Sequence, residues 1–324
     1  MWAVGMTIAP VVLIFLLYSG SLEGSFVFDD FGNIYRNPHI RLADLSIEGF
    51  EDAVTKSVCR NRPVANISFA LNHYFHGYDV FGYHLVNVLV HLVSGFLLFF
   101  LIRMTVELAR RQSSDELIPQ ESFTGLAIYL GVLLWLVHPA HTQAVSYIVQ
   151  RMTCMASMFY LLSVVLYVKG RVSEGRGRKS FLWAGSATAG LLAVGTKEIA
   201  ATLPVFIFLY EWYFFQNLDK GWVKRQIPRV LAAVFVVVLL GLLYFGLSNP
   251  LDMILEWYKK REFTLGQRVL TQLRIVVHYI SLLIYPNPSR LNLDYDFPLS
   301  YSLLNPMSTV MSLAFLSLLL TGAV

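Results

Sequence analysis

Two adjacent carboxylates, Asp29 and Asp30, follow the first apolar segment of the chain in the string FVFDD. Adjacent acids raise each other's proton affinity, and partial burial beside a membrane raises it further. A membrane-proximal carboxylate can act as a general base toward a hydroxyl group or as a metal ligand. The same string also fits an interfacial turn that only ends a helix, so the spacing leaves both interpretations open.

The histidines give a second set of candidates. The turn VHPAHTQ brings His138 and His141 close together in sequence. Two histidines without a third ligand are a weak zinc signal, so a structural role, a phosphate or substrate contact and a divalent metal site all remain alternatives. His84, Asn87 and His91 fall on one helical face, where interhelical hydrogen bonding is expected. His84, near the outer end of that helix, is also a candidate for contacting substrate.

Basic residues recur at the predicted outer ends of helices: Arg62, Arg151, Lys197 and Arg274. A cation inside or beside an apolar helix needs an anionic partner, either a carboxylate or a phosphate. Several cations on one face, beside acids, predict a pocket for a lipid phosphate. Ordinary phospholipid head groups are the alternative partner. Glu198 is counted among the candidate substrate-binding residues, and the simpler alternative for it is an ion pair with Lys197.

The elements that position these residues must be membrane helices. Apolar residues make up 56% of the 324 residues and charged residues 14%, and the mean hydropathy is +0.57. A soluble domain carries roughly a quarter charged residues. Unpaired backbone groups are costly in hydrocarbon, and the apolar runs have helical length, so the sequence predicts an all-α polytopic membrane protein. The formal net charge of +4 gives no sign of a nucleic-acid partner.

The apolar runs predict about nine transmembrane helices. The first run is interpreted as a retained helix, because it lacks a basic segment before it. An amphipathic surface helix is predicted at 64–75, with Asn66, His73 and His76 on its polar side. The nine predicted spans are 2–18, 83–102, 124–138, 146–168, 181–195, 200–215, 229–247, 269–285 and a run from 307.

Lysine and arginine in the short loops set the expected orientation. The basic loops near 103–111, 169–179 and 220–229 are placed in the cytoplasm, which puts the N-terminus there too. The loops 21–81 and 248–268 then lie outside. We treat 1–324 as one transmembrane domain, and its apolar last residues suggest a longer protein.

Five strings stand out in order along the chain: FVFDDFGNIYRNPHI, RPVANISFALNHYFHGYDVFGYHLVNVLVHL, HPAHTQAVSYIVQRMTCMASMFYLLSVVLYVKGR, TKEIAATLPVFIFLYEW and LNLDYDFPLS. Together they resemble the membrane region of the TMTC-type O-mannosyltransferases and their bacterial relatives, a DUF1736-type domain that precedes tetratricopeptide (TPR) repeats. The likeness covers most of the chain, and the IVQRMT and LNLDYD forms are more similar to bacterial than to animal members.

This resemblance implies a GT-C-like bundle in a bacterial inner membrane, with a periplasmic active site, an undecaprenyl or dolichyl phosphate sugar as donor and a protein hydroxyl as acceptor. By position, Asp29 is similar to the first acid of the family's catalytic pair, which implies a general base, with Asp30 assisting. The donor-phosphate residues are predicted instead from the basic residues at the helix ends.

The chain also departs from the family. Gln143 stands where animal members often have Glu in the string HTE. A catalytically silent subunit that anchors a partner protein through its helices, and a transporter of a lipid-linked or anionic solute, are therefore kept as alternatives. Transporters tend to bind solutes near the midplane on broken helices, whereas the polar residues here gather at one face, which favours the transferase.

Overall fold

The computed structural model describes residues 2–112, 121–245, 258–259, 261–293 and 295–322. Regular structure within these ranges is helical throughout, which confirms the all-α prediction. The chain divides into two compact units, Met1–Leu218 and Asp219–Val324. In the first unit the helices are α1 (Trp2–Tyr18), α2 (Ile47–Thr55), α3 (Pro63–His76), α4 (Val80–Gln112), α5 (Glu121–Leu136), α6 (Thr142–Ser146), α7 (Arg151–Val172), α8 (Arg176–Thr196) and α9 (Leu203–Phe214). In the second unit they are α10 (Lys220–Phe245), α11 (Leu265–Ile284) and α12 (Ser308–Gly322).

In the described part of the chain, fewer helices than the nine predicted are both long and apolar enough to cross a membrane. Within the described ranges, Val80–Gln112 and Ile148–Val172 are long and apolar enough to cross a membrane. Phe123–Leu136 and Pro139–Ser146 form a pair bent by 46°, which brings the number to three if the pair is one span. These helices support a multi-pass membrane protein, while the number of nine spans stays a prediction.

The helix predicted at 64–75 is present as α3, but its buried side differs from the prediction. Pro63 begins the helix, and Gly77, with φ of +57°, ends it in a conformation that favours glycine. Asn66, predicted on the polar side, is buried and donates to the Cys59 carbonyl oxygen at 2.9 Å. Its prediction was wrong because the first loop folds back over the helix and supplies an acceptor that the sequence pattern does not reveal.

The span predicted at 146–168 begins differently in the structure. A 3-10 turn, Ile148–Gln150, separates α6 from α7. The Asn87 amide of α4 donates to the carbonyl oxygens of Val145 and Ile148, at 3.1 and 3.3 Å. The side chain of another helix thus supplies a hydrogen bond to each of these two carbonyl groups, so the turn leaves neither of them unpaired.

Small residues bring α7 and α8 close together. Ser163 and Ser186 each donate to the other's carbonyl oxygen at 2.8 Å, and Gly170 lies against Trp183. Close approach through serine and glycine is typical of helix pairs in membranes. The packing places Lys197, just after α8, beside the beginning of α7.

The second unit holds its own contacts. Thr264 and Gln267 form a capping box that begins α11. The Ser300 backbone N–H donates to the Thr271 hydroxyl at 2.9 Å, and Thr309 donates to the Ser300 hydroxyl at 2.9 Å, which joins α11 to α12. Most of the loop predicted at 248–268, and Asp294 of the LNLDYD string, lie outside the described residues.

Candidate functional site

Asp30 holds the first loop against the segment that precedes α7. Its carboxylate is fully buried, and it accepts from the backbone N–H of Val27 at 3.0 Å and of Val149 at 2.7 Å. Phe28, between them, has φ of +43°, a strained conformation for an aromatic residue. Asp30 thus fixes a tight turn through two hydrogen bonds to a charged acceptor.

Asp29 is placed differently, although it is the next residue along the chain. Its backbone N–H donates to the Tyr147 hydroxyl at 2.8 Å, and its carbonyl accepts from the Asn33 amide at 2.9 Å. Its carboxylate is exposed and forms no hydrogen bond to any residue that the structure describes. The backbone is therefore held in place while the carboxylate is open to an incoming group.

Burial raises the pKa of Asp30 to about 6 from its ordinary 3.8, because the loss of contact with water outweighs the two N–H donors. The negative charge of Asp29 adds to the rise, and the positive charge of Arg151 opposes it.

A raised pKa of Asp30 in the folded state means that the contribution of this group to stability is complete below pH 3.8 and declines as the pH rises through 6. We therefore expect the unfolding midpoint of the native protein to fall between about pH 4 and pH 6, relative to that of Asp30→Asn, and then to level off. Thermal unfolding of both proteins in one detergent checks this, and a relative midpoint that rises with pH would contradict it.

Lys197 contacts the same segment before and at the beginning of α7, a few residues after the positions that Asp29 and Asp30 contact. Its ammonium group donates to the Thr153 hydroxyl at 2.7 Å and lies 3.5 Å from the Gln150 side-chain oxygen. Burial, followed by the charge of Arg62, lowers the pKa of Lys197, and Glu198 partly opposes this. No carboxylate in the described part of the chain forms a salt bridge with Lys197, so the geometry leaves this cation able to accept an anion.

Arg62 and Glu198 form a two-bond ion pair. Arg62 Nε donates to Glu198 Oε2 at 3.0 Å and Nη2 to Oε1 at 2.6 Å. Arg62 Nη1 also contacts the Met152 sulfur at 3.2 Å, and the Glu198 side chain is 59% exposed. The predicted salt bridge between Glu198 and Lys197 was wrong, because the fold places the Arg62 guanidinium closer and in a geometry that suits a carboxylate.

Arg151 lies in the interior between α3, α4 and α7. It has no exposed surface, and it donates to Asn87 Oδ1 at 2.8 Å and to the Tyr83 carbonyl at 2.9 Å. Nη1 contacts the Ser68 carbonyl and hydroxyl, at 3.4 and 3.3 Å, and the guanidinium lies over the Phe69 ring at 4.8 Å. Through these contacts Arg151 positions the 3-10 turn and α7. Its guanidinium is not presented at the surface.

The predicted site histidines also have partners within the fold, although His84 is buried and His138 and His141 are half-buried. His84 is buried and lies 2.9 Å from the Gly24 carbonyl oxygen, which ties α4 to the first loop. His138 Nδ1 accepts from the Ala140 N–H at 3.2 Å, and the His141 ring lies 4.4 Å from that of Trp135. Among the described residues no group of three His, Cys, Asp or Glu side chains could hold a metal ion.

Arg274 belongs to the second unit. It donates to the Pro298 carbonyl at 2.9 Å, and its guanidinium lies over the Phe297 ring at 4.9 Å. Its assignment to a phosphate site stays a prediction.

The structure thus brings Asp29, Asp30, Arg62, Lys197 and Glu198 around one segment, residues 147–153. The predictions from sequence missed the uncharged residues that join them: Tyr147, Gln150 and Thr153. Their signal was weak, because hydroxyl and amide side chains are common at helix starts, although all three lie within the SYIVQRMT string. The arrangement offers an exposed carboxylate at Tyr147 and two cations at Met152 and Thr153 of the same segment, groups that suit proton removal and anion binding.

Comparison with known proteins shows which proteins this chain is similar to. Protein O-mannosyl-transferase TMTC2 of Homo sapiens is 28% identical over 252 residues, covering 74% of this chain and 28% of that protein. Protein O-mannosyl-transferase tmtc2 of Xenopus laevis is 30% identical over 259 residues, covering 72% and 28%. Protein O-mannosyl-transferase TMTC1 of Mus musculus is 32% identical over 162 residues, covering 47% and 15%. No protein-family model and no solved structure matches the chain. The chain is therefore similar to TMTC-type proteins and spans about a quarter of the length of the TMTC2 relatives.

Proposed function

We propose that the chain is a membrane glycosyltransferase that moves a mannosyl group from a polyprenyl-phosphate donor to a hydroxyl group of an acceptor protein. The observation that carries the proposal is the exposed Asp29 carboxylate, whose backbone is held on the segment that also holds Lys197. Similarity to proteins named O-mannosyl-transferases supports the reaction class.

In this reaction Asp29 acts as the general base. Its carboxylate takes the proton of the acceptor hydroxyl, whose oxygen attacks the anomeric carbon of the sugar. The bond between that carbon and the phosphate oxygen breaks, and the electron pair leaves with the lipid phosphate. One displacement inverts the configuration at the anomeric carbon, and no nucleotide is required. Asp30 positions Asp29 through the turn that it fixes.

The negative charge that develops on the leaving phosphate is balanced by Lys197 and Arg62. Lys197 has hydroxyl and amide partners, so it can bind a phosphate without losing an ion pair. Arg62 exchanges Glu198 for the phosphate, because a guanidinium binds both anions with the same paired geometry. Arg151 and His84 shape the site from the interior, and His138 and His141 remain proposed donor contacts.

The chain is placed in a bacterial inner membrane with its N-terminus in the cytoplasm and Asp29 at the periplasmic face, as the basic loops favour. Its helices form part of a GT-C-like bundle of about nine spans.

Binding of undecaprenyl phosphate to charge variants tests the phosphate site. Arg62→Ala removes a cation and is expected to weaken binding about tenfold, the effect of one charged contact. Glu198→Gln removes the competing anion and is expected to strengthen binding by a few fold. Lys56→Ala is the control, because Lys56 is an exposed cation of the same loop that pairs with Asp52. Native mass spectrometry of the detergent-purified chain gives the bound fractions.

The two site variants must change affinity in opposite directions. Unchanged binding in both Arg62→Ala and Glu198→Gln would refute the exchange and the phosphate site together. A loss of the same size in Lys56→Ala would show only a general attraction of the loop for anions.

A further inference from the structure

A second feature, remote from Asp29, is an apolar groove between α1, α4 and α5. Its cavity volume is about 430 Å³, within the range of small-molecule sites. The helices around it include the longest candidate span, α4, and part of the bent pair. Among the residues that line it are Pro10, Phe96, Phe99, Ile128 and Val132.

One end of the groove is polar and carries more positive than negative charge. Arg103, Glu107, Arg110 and Thr124 line this end. Arg103 pairs with Glu107 at 3.0 Å, but both side chains are about half exposed, so the pair contributes little and can exchange partners. Arg110 donates to the Thr124 hydroxyl, which holds its guanidinium at the groove.

The polar end lies at the opposite membrane face from Asp29. His84 ties the beginning of α4 to the first loop through the Gly24 carbonyl. At about 1.5 Å per residue, Arg103 lies roughly 28 Å farther along α4. That distance is close to the thickness of the hydrocarbon core, about 30 Å. A lipid with its head group at Arg103 could not present that group to Asp29.

We propose that this groove binds an anionic phospholipid of the leaflet opposite Asp29, with an acyl chain along the apolar walls and the phosphate at Arg103 and Arg110. The apolar lining excludes a soluble anion as the main occupant, and the two arginines favour a head group with net negative charge. Basic pockets between membrane helices recognise anionic lipids in this way. The site is distinct from that of the sugar donor and does not depend on the proposed transfer.

Gly125 offers a direct way to fill the groove. It lines the cavity, and a Cβ added there meets no atom within 4 Å. Gly131 of the same helix also has open space around it but does not line the cavity. Both positions gain helix propensity on replacement by leucine. Gly125→Leu and Gly131→Leu therefore form a matched pair that differs mainly in occupation of the groove.

Native mass spectrometry of the full chain, titrated with phosphatidylglycerol or phosphatidylcholine, tests the site. We expect phosphatidylglycerol to bind about fivefold more tightly, the effect of roughly one net interfacial cation. Gly125→Leu should reduce retention of both lipids about tenfold, while Gly131→Leu retains them like the native chain. Equal retention by Gly125→Leu and the native chain would overturn the proposal.

The head-group contact is tested separately with Arg103→Gln, which leaves the hydrogen bond between Arg110 and Thr124 in place. This variant should lose most of the preference for phosphatidylglycerol and keep its affinity for phosphatidylcholine. A preference that stays fivefold in Arg103→Gln would overturn the placement of the phosphate. Thermal unfolding of each variant in the same detergent confirms that the comparison is made between folded proteins.

Discussion

Replacement of Asp29 by asparagine is expected to abolish sugar transfer and to leave the fold unchanged. An amide cannot take the proton of the acceptor hydroxyl, and loss of a general base costs roughly 10²- to 10⁴-fold in rate. The contacts that hold residue 29 are made by its backbone N–H and carbonyl, both of which asparagine keeps. The Asp29→Asn protein should therefore lose transfer activity and keep the unfolding midpoint of the native protein.

The assay is transfer from a polyprenyl-phosphate mannose to an acceptor protein in proteoliposomes, followed by the mass of the acceptor. Glu23→Gln is the matched control, because Glu23 is another exposed acid of the first loop and should keep full activity. An Asp29→Asn protein as active as the native chain would refute the role of Asp29. Stable binding of one partner protein with no transfer by any variant would favour the anchoring subunit instead.

The helices were largely predictable, because long apolar runs have few alternatives in a membrane. The break before α7 was not, since it depends on the Asn87 amide of a helix more than fifty residues away. An amide within an apolar run looks like any interhelical hydrogen-bonding group until its acceptors are known. The start of α7 therefore required the structure.

The separate roles of Asp29 and Asp30 were also beyond the sequence. Both residues have the same side chain, and adjacent positions carry no pattern that tells which one is buried. The distinction comes from the turn at Phe28 and from the N–H of Val149, a partner distant in sequence. The pairing of Arg62 with Glu198 was equally distant, and proximity along the chain wrongly favoured Lys197.

Replacement of Arg151 by methionine is expected to have the largest effect on stability of the variants considered. The side chain is fully buried, and its removal leaves Asn87 Oδ1 without this donor and takes the guanidinium away from the Tyr83 carbonyl. A buried acceptor that loses its donor costs about 1–3 kcal/mol, and Arg151 donates to more than one. Methionine retains the packing against Phe69, so the loss reports on the hydrogen bonds more than on volume. Arg151→Lys should recover only part of the stability, because an ammonium group lacks the planar fork that reaches three acceptors at once.

The free energy of unfolding in one detergent, measured by denaturant titration, shows whether Arg151 holds the turn before α7 in place. Arg103→Met is the control, since its exposed pair with Glu107 should cost less than about 1 kcal/mol. A loss of stability in Arg151→Met no larger than that of the control would mean that the hydrogen bonds of Arg151 do not hold the turn.

Because the Ile148–Gln150 turn also carries the Val149 N–H that binds Asp30, the destabilised variant should lose the pH dependence assigned to Asp30 as well. Retention of that pH dependence in a destabilised Arg151→Met protein would show that the Asp30 turn is held independently of α7.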